Sequence, residues 1–272
     1  MLRFLFWNLN GKDLQHRVAK LVRTYETDVL VLAECSIPED LMLDALNVQT
    51  HAPFSRSNSL LENLVVFTRL GSRSVVTLLD DEAMRLTFQQ VWLPSGIDLL
   101  LVATHFRSKL YWSDNSQSQI CNRLAQIIRR QEGRIGHSRT VLLGDLNMNP
   151  FEVGVVSSDG LHATMARHVA QRESRRVLGE KFPFFYSPMW GHFGDALDGP
   201  PGTYYDSRSE PVTYFWNIFD QVLIRPSLLD AFVPASLKIM DSDGDETLLT
   251  DYGVPRQSTG SDHLPITFAL NM

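Results

Sequence analysis

Strand-length runs of apolar, β-branched and aromatic residues recur from one end of the chain to the other. They are "LRFLFW" (2–7), "DVLVLA" (28–33), "NLVVFT" (63–68), "SVVTLL" (74–79), "LTFQQVWL" (86–93), "IDLLLVAT" (97–104), "RTVLLG" (139–144), "FDQVLI" (219–224) and "PITFAL" (265–270). Several are apolar at consecutive positions, which requires both faces of the strand to be covered, whereas "LTFQQVWL" alternates only loosely. Between them, Leu14, Val18, Leu21, Val22 and Tyr25, and again Ile120, Leu124, Ile127 and Ile128, recur at three- and four-residue steps, each set giving a helix one apolar stripe. A third such pattern runs through "LHATMARHVAQRESRRV" (161–177), with Leu161, Met165 and Val169 on one side. Many strands and few amphipathic helices imply sheets packed on each other with helices outside, a layered α/β arrangement.

A chain of 272 residues, 44% hydrophobic, closes either one large core or two small ones with a linker. No linker is visible. The stretch "DALDGPPGTYYDSRSEP" (195–211) is rich in Gly and Pro but also in aromatics, as in an ordered insertion. Residues 1–272 are therefore expected to form a single domain. The formal charge of −6 provides no global positive field for nucleic acid or an anionic membrane, although a divalent cation can supply positive charge locally. Cys35 and Cys121 fit neither a disulfide framework nor a zinc spacing. With no signal peptide and no window long enough for a membrane span, a soluble cytoplasmic protein without membrane anchor or obligate protein partner is expected.

The strand ends carry the chemistry. The first run meets Asn8 and Asn10, the second Glu34, "LLLVAT" His105, and "VLLG" Asp145, Asn147 and Asn149; Asp220 opens "FDQVLI", and Asp262 and His263 precede the last run. Burying such groups unpaired costs several kcal/mol (about 2–7 per group), so partners must meet them in the fold.

The motifs "WNLNG" (7–11), "LAE" (32–34), "ATHF" (103–106), "GDLNMNP" (144–150), "FDQVLI" (219–224) and "SDHLPI" (261–266) together resemble those of the endonuclease/exonuclease/phosphatase superfamily, the deoxyribonuclease-I-like metal-dependent phosphoesterases, and follow its order. The resemblance implies a four-layer α/β/β/α sandwich, two mixed β-sheets packed face to face with helices outside. It implies Mg2+ as cofactor, with Mn2+ as a substitute, held by Glu34 with Asn8 and Asp262. Asp145 would orient or deprotonate the attacking water, and Asn147 would donate to the phosphoryl oxygens. Asp220 would hold His263, which acts either as base or as a cation beside the phosphoryl group, and His105 would contact the phosphate or assist the leaving group. Some branches carry an acid where this chain has Asn10, and the apurinic-endonuclease branch carries a tyrosine in the region of His105.

For substrate, Arg107 and Lys109 in "HFRSKLYW" (105–112) are candidates for further phosphates, and Trp190, Tyr204 and Trp216 for base stacking, alongside their roles in solvated loops or loop packing. The basic segment "RHVAQRESRR" (167–176) reads either as a backbone-binding patch or as a solvated face. "DSDGDE" (241–246) lacks the glycine and glutamate positions of a calcium loop. The expectation is a Mg2+-dependent phosphodiesterase, foremost a nuclease with nucleic acid as substrate. The alternatives are a phosphatase or phosphodiesterase for a small or lipid phosphate, and a catalytically silent binding protein of the same fold.

Overall fold

A computed structural model describes residues 1–48, 52–71, 73–109, 113–194 and 196–272. The end of the 105–112 stretch, with its two aromatics, lies outside the described residues. The nine apolar runs form the nine principal strands: β1 (Leu2–Asn8), β2 (Val29–Ala33), β3 (Leu64–Thr68), β4 (Val75–Asp81), β5 (Leu86–Trp92), β6 (Asp98–His105), β7 (Thr140–Asp145), β8 (Asp220–Ile224) and β9 (Ile266–Leu270). The main helices are α1 (Gln15–Thr24), α2 (Glu39–Leu46) and α3 (Asp114–Ile135).

Two mixed sheets result. A six-stranded sheet runs Lys238–Ile239, β9, β1, β2, β3, Ser55–Arg56, and a seven-stranded sheet runs β4, β5, β6, β7, β8, Phe185–Tyr186, Ala163–Thr164. β1 pairs parallel with β2, and β6 parallel with β7; β8 returns antiparallel to β7 and β9 antiparallel to β1. Alternation along β6 shows why the run is apolar at every position. Leu99, Leu101 and Ala103 join the core between the sheets, which also contains Phe4, Phe6 and Val31. Leu100 and Val102 point the other way, onto Cys121, Leu124 and Ile128 of α3. On the outer face of the six-stranded sheet, Val18, Leu21 and Val22 of α1 and Met42 and Leu46 of α2 belong to the same continuous buried cluster. The layering is the α/β/β/α sandwich expected from the motifs.

The third helix expected over 161–177 does not form. Only Arg167–Ala170 makes a helical turn, and Ser174–Val177 folds back on Glu180–Pro183 as a hairpin. Leu178 and Gly179, both at positive φ (49° and 87°), make the two-residue turn, and Glu173 at φ 62° breaks the helix before it. That turn geometry matches the right-handed twist of the flanking strands, and it overrides the helical spacing of Leu161, Met165 and Val169. The basic residues are dispersed accordingly: Arg175 donates from Nε to His162 Nε2 at 2.7 Å and Arg176 to the Gly179 carbonyl at 3.1 Å.

Candidate active site

Strand register lines up three of the expected residues. His105 pairs with Asp145 across β6 and β7, and Asp145 with Asp220 across β7 and β8, so the three sit side by side on one row of the seven-stranded sheet. In the other sheet Asn8 is registered with Ala33, which places Glu34 one residue beyond the same end. Close approach of β6 to β7 at this row depends on Gly144, since a Cβ there would lie 1.9 Å from the Thr104 carbonyl oxygen. Glu34 and Asn147 both adopt left-handed φ (46° and 49°), a conformation costing a side-chain-bearing residue about 1–2 kcal/mol.

The two sheets are tied together at this edge by one amide. Asn8 Nδ2 donates to Asp145 Oδ2 at 3.1 Å and to Glu34 Oε1 at 3.4 Å, while Asn8 Oδ1 accepts from the Asn10 amide at 3.0 Å. Asp145 is 1% exposed; its Oδ1 accepts from the Asn147 backbone amide at 2.7 Å and its Oδ2 from Asn147 Nδ2 at 3.2 Å. The second hydrogen of that Nδ2 goes to the Phe106 carbonyl at 2.8 Å, so both amide donors of Asn147 are engaged. His105 Nε2 lies 3.2 Å from Glu34 Oε1, and the Nε2 atoms of His105 and His263 each lie 3.9 Å from Asp145 Oδ2. His263 Nδ1 lies 2.8 Å from Asp220 Oδ2. Trp7 Nε1 donates to the His263 carbonyl at 2.9 Å, and Tyr204 covers the imidazole with ring centroids 4.9 Å apart.

Burial pushes the Asp145 carboxyl above the usual range, and the Asp220 charge adds to this against the pull of His263 and His105. His105 beside Glu34 holds that carboxyl below its ordinary value despite partial burial. Burial opposes a charge on His263, but the carboxylates of Asp220, Asp145 and Asp262 outweigh it and raise the imidazole to about 10.

Glu34, His105, Asp145, Asn147 and His263 floor a cleft of about 1550 Å³, also lined by Arg85, Arg107, Lys109, Tyr204, Tyr205, Arg208 and Asp262, with Asp220 buried behind His263. Lys109 is paired with Glu152 and, at 3.4 Å, with Asp114. Two expected substrate residues are elsewhere. Trp190 packs edge-on against Phe151 and Phe193, and Trp216 edge-on against Tyr205 and onto the core; neither lines the cleft, because both are consumed in ordering the aromatic insertion. Asn149 has a structural partner set, donating to Asn217 Oδ1 at 2.8 Å and accepting from the Ile218 amide at 2.9 Å. Arg85 and Arg208, which line the cleft, belong to no motif; their only signal is a basic residue in a turn near an acid.

Among the described residues, two donor sets could take a divalent cation. Asp145, Asp220 and His263 each offer a ligand atom within 4.8 Å of the others. In that group His263 Nδ1 is committed to Asp220 and the ring is held as a cation, which opposes metal ligation. Glu34 and Asp262 line the cleft, the Glu34 side chain 41% exposed, and with the Asn8 amide oxygen nearby they present the all-oxygen donors that a hard cation takes. Four carboxylates gathered around two imidazoles leave negative charge for such a cation to offset.

No protein-family model matches the chain, and no curated protein matches its sequence. Solved structures do match over its whole length. The 3′ phosphatase NExo from Neisseria, bound to product DNA hairpin, is 16% identical with a TM-score of 0.57, each chain covered in full. An AP endonuclease from Archaeoglobus fulgidus is 17% identical with a TM-score of 0.56, again with 100% of each chain covered. D. rerio TDP2, complexed with single strand DNA product, is 20% identical with a TM-score of 0.53, covering 100% of this chain and 99% of its own. An endonuclease/exonuclease/phosphatase family protein from Leptotrichia buccalis is 14% identical with a TM-score of 0.57, each chain covered in full. With its two mixed sheets and the strand-end residues gathered at one edge, the chain has the endonuclease/exonuclease/phosphatase fold.

Proposed function

We propose that this protein is a metal-dependent phosphodiesterase that hydrolyses nucleic acid, with residues 1–272 forming one catalytic domain. The observation that carries the reading is Asp145: a buried carboxylate on the cleft floor, faced by two imidazoles at 3.9 Å and bonded to amides from both sheets. A carboxylate kept buried against its desolvation cost, between two imidazoles, suits proton transfer.

Glu34, Asp262 and Asn8 would hold Mg2+, with Mn2+ as substitute. Bound there, the cation supplies Lewis-acid polarisation of the phosphoryl group and charge neutralisation. Hydrolysis forms one bond from water oxygen to phosphorus, breaks the bond to the leaving alcohol, and moves one proton from the water to the leaving oxygen. Asp145, whose burial makes it a stronger base, takes that proton. His263, kept cationic by Asp220, stabilises the charge that grows on the phosphoryl oxygens. Asn147 reinforces this with the amide hydrogen now given to Asp145. His105, on the same row and with Nε2 3.9 Å from Asp145 Oδ2, gives a proton to the leaving oxygen and is replenished by the one Asp145 has taken, so that one proton in all passes from water to leaving group. The DNA bound to two of the structural neighbours, a product hairpin on NExo and a single strand product on D. rerio TDP2, supports nucleic acid as the substrate class.

The test is incubation of the full chain with plasmid, single-stranded DNA and RNA in Mg2+, in Mn2+ and in chelator, with Asp145→Ala as the blank. Cation-dependent cleavage absent from the blank is expected. No cleavage of any of the three by folded protein, or cleavage undiminished in chelator, overturns the reading.

A further inference from the structure

We propose that Lys12 is a positioning residue for the divalent cation, its ammonium tying the loop that carries Asp262 to the turn that follows Asn8. The inference rests on the assignment of Glu34, Asn8 and Asp262 as the donors. Asn10 and Gly11, both at left-handed φ (50° and 66°), reverse the chain after β1, and the Lys12 amide donates back to the Leu9 carbonyl at 3.1 Å. The same turn is fastened to the end of β2, where the Leu9 amide donates to the Ala33 carbonyl at 2.9 Å and the Gly11 amide to the Glu34 carbonyl at 3.0 Å. Lys12 therefore stands on backbone joined directly to that of Asn8 and Glu34. Its Nζ reaches the opposite end of the sequence, donating to the Gly260 carbonyl at 2.8 Å and to the Gln257 carbonyl.

Those two carbonyls lie just ahead of the acid. Gly260 closes a turn, its amide donating to the Arg256 carbonyl at 2.9 Å, and Ser261 follows, buried. Ser261 Oγ accepts from the His263 amide at 3.1 Å and donates to Asp262 Oδ1 at 3.2 Å, so the Asp262 carboxylate is aimed by backbone that starts at the carbonyl Lys12 grips. Among the described residues no carboxylate pairs with the Lys12 ammonium, and its charge is spent on main-chain dipoles. A clamp for the loop as a whole already exists further back: Arg17 and Lys20 of α1 each hold Asp243 at 3.1 Å, with Glu246 and Asp245 beside it. Lys12 acts instead on the loop's last turn, and joins the two backbone segments that carry all three donors. The sign of its effect separates positioning from charge. An ammonium on this rim by itself repels a divalent cation, so a lysine present only as charge weakens cation binding. A lysine that aims a donor strengthens it.

The experiment titrates Mn2+ into the full chain and reads the free ion by electron paramagnetic resonance, with no substrate present, so that the result does not depend on turnover. Lys12→Met, which keeps the stem and removes the charge, is expected to weaken Mn2+ binding about tenfold. Lys12→Arg, whose fork presents donors to both carbonyls, is expected to recover most of that loss. Arg17→Met, which loosens the same loop at Asp243 and Glu246, is expected to leave Mn2+ affinity unchanged. Hydrogen exchange of the cation-free proteins gives a second reading, in which the Gly260 and His263 amides exchange faster in Lys12→Met while the sheets stay protected. Mn2+ affinity unchanged or increased in Lys12→Met, an equal loss in Arg17→Met, no recovery in Lys12→Arg, or no Mn2+ binding by the unaltered protein overturns the inference. Exchange that quickens across both sheets in Lys12→Met makes the residue a tie of the fold, and overturns it too. Failure of the phosphodiesterase reading appears separately, as absence of cleavage by a protein that binds Mn2+.

Discussion

His263 and Asp220, 43 residues apart in sequence, meet as a buried pair with Nδ1 2.8 Å from Oδ2. Burial alone would strip the ring of its proton, and the carboxylates, Asp220 foremost, reverse that and raise it to about 10. The native value lies above the ordinary value of 6.5, so the pair's contribution to stability is fully present below about pH 6.5 and is lost as pH rises through about 10. In Asp220→Asn, burial acts against a weaker opposition, and the ring titrates well below its present position. Following the His263 ring signal by NMR should show no titration below about pH 9 in the unaltered protein and a clear one near or below neutrality in the variant. Turnover is expected to fall at least about 100-fold. A ring that titrates identically in both proteins would remove Asp220 from this role.

Asp145 presents opposed effects. Its charge is disfavoured by burial, so replacing it by Asn relieves an electrostatic cost, while the new amide faces the donors of Asn8 and Asn147 and loses two accepted bonds. The expected net change in stability is within about 1 kcal/mol, or a thermal midpoint shifted by less than about 4 °C for a chain of this size. Turnover is expected to fall more than about 1000-fold, measured alongside calorimetry of the same sample. A midpoint lowered by 10 °C or more would instead make the carboxylate a structural tie between the sheets.

Much of this architecture is legible without coordinates because sheet packing imposes it on the sequence. Leu99 through Ala103 are apolar at every position because one set meets the facing sheet and the other meets α3. The gathering of the candidate residues is legible for a related reason: polar groups at strand ends are tolerable only with partners, and register brings His105, Asp145 and Asp220 into one row. The misses are equally physical. The turn formed by Leu178 and Gly179 decides the 161–177 segment through backbone φ, which hydrophobic spacing does not encode. Trp190 and Trp216 are spent on packing the insertion, and Asn149 on holding Asn217, distinctions that depend on tertiary neighbours. Arg85 gives no motif at all, because its position follows from a turn fastened to a strand nineteen or twenty residues on.

A network remote from the cleft gives a test of the fold itself. Asp98, at the start of β6, has Oδ2 2.9 Å from His137 Nε2 and Oδ1 2.6 Å from Arg139 Nη2, with Gln90 donating to Oδ2 as well. The His137 ring is oriented by its Nδ1, which accepts the Arg139 amide at 3.1 Å. Burial acts to raise the Asp98 carboxyl, but the bonds from Gln90, His137 and Arg139 outweigh it and lower the group to about 2. The native value lies below the unfolded value of about 3.9, so the stabilisation is fully present above about pH 5 and fades as pH falls through 4 toward 2. That shift corresponds to an upper limit of about 2.5 kcal/mol at neutral pH, of which water at the strand end screens a part. Asp98→Asn should therefore lower the urea midpoint at pH 7 by the equivalent of about 2 kcal/mol, with the gap from the unaltered protein constant down to about pH 5 and narrowing below 4. A gap that keeps its full size at pH 3 would assign the effect to lost hydrogen-bond geometry at the β6–β7 edge rather than to the carboxylate charge.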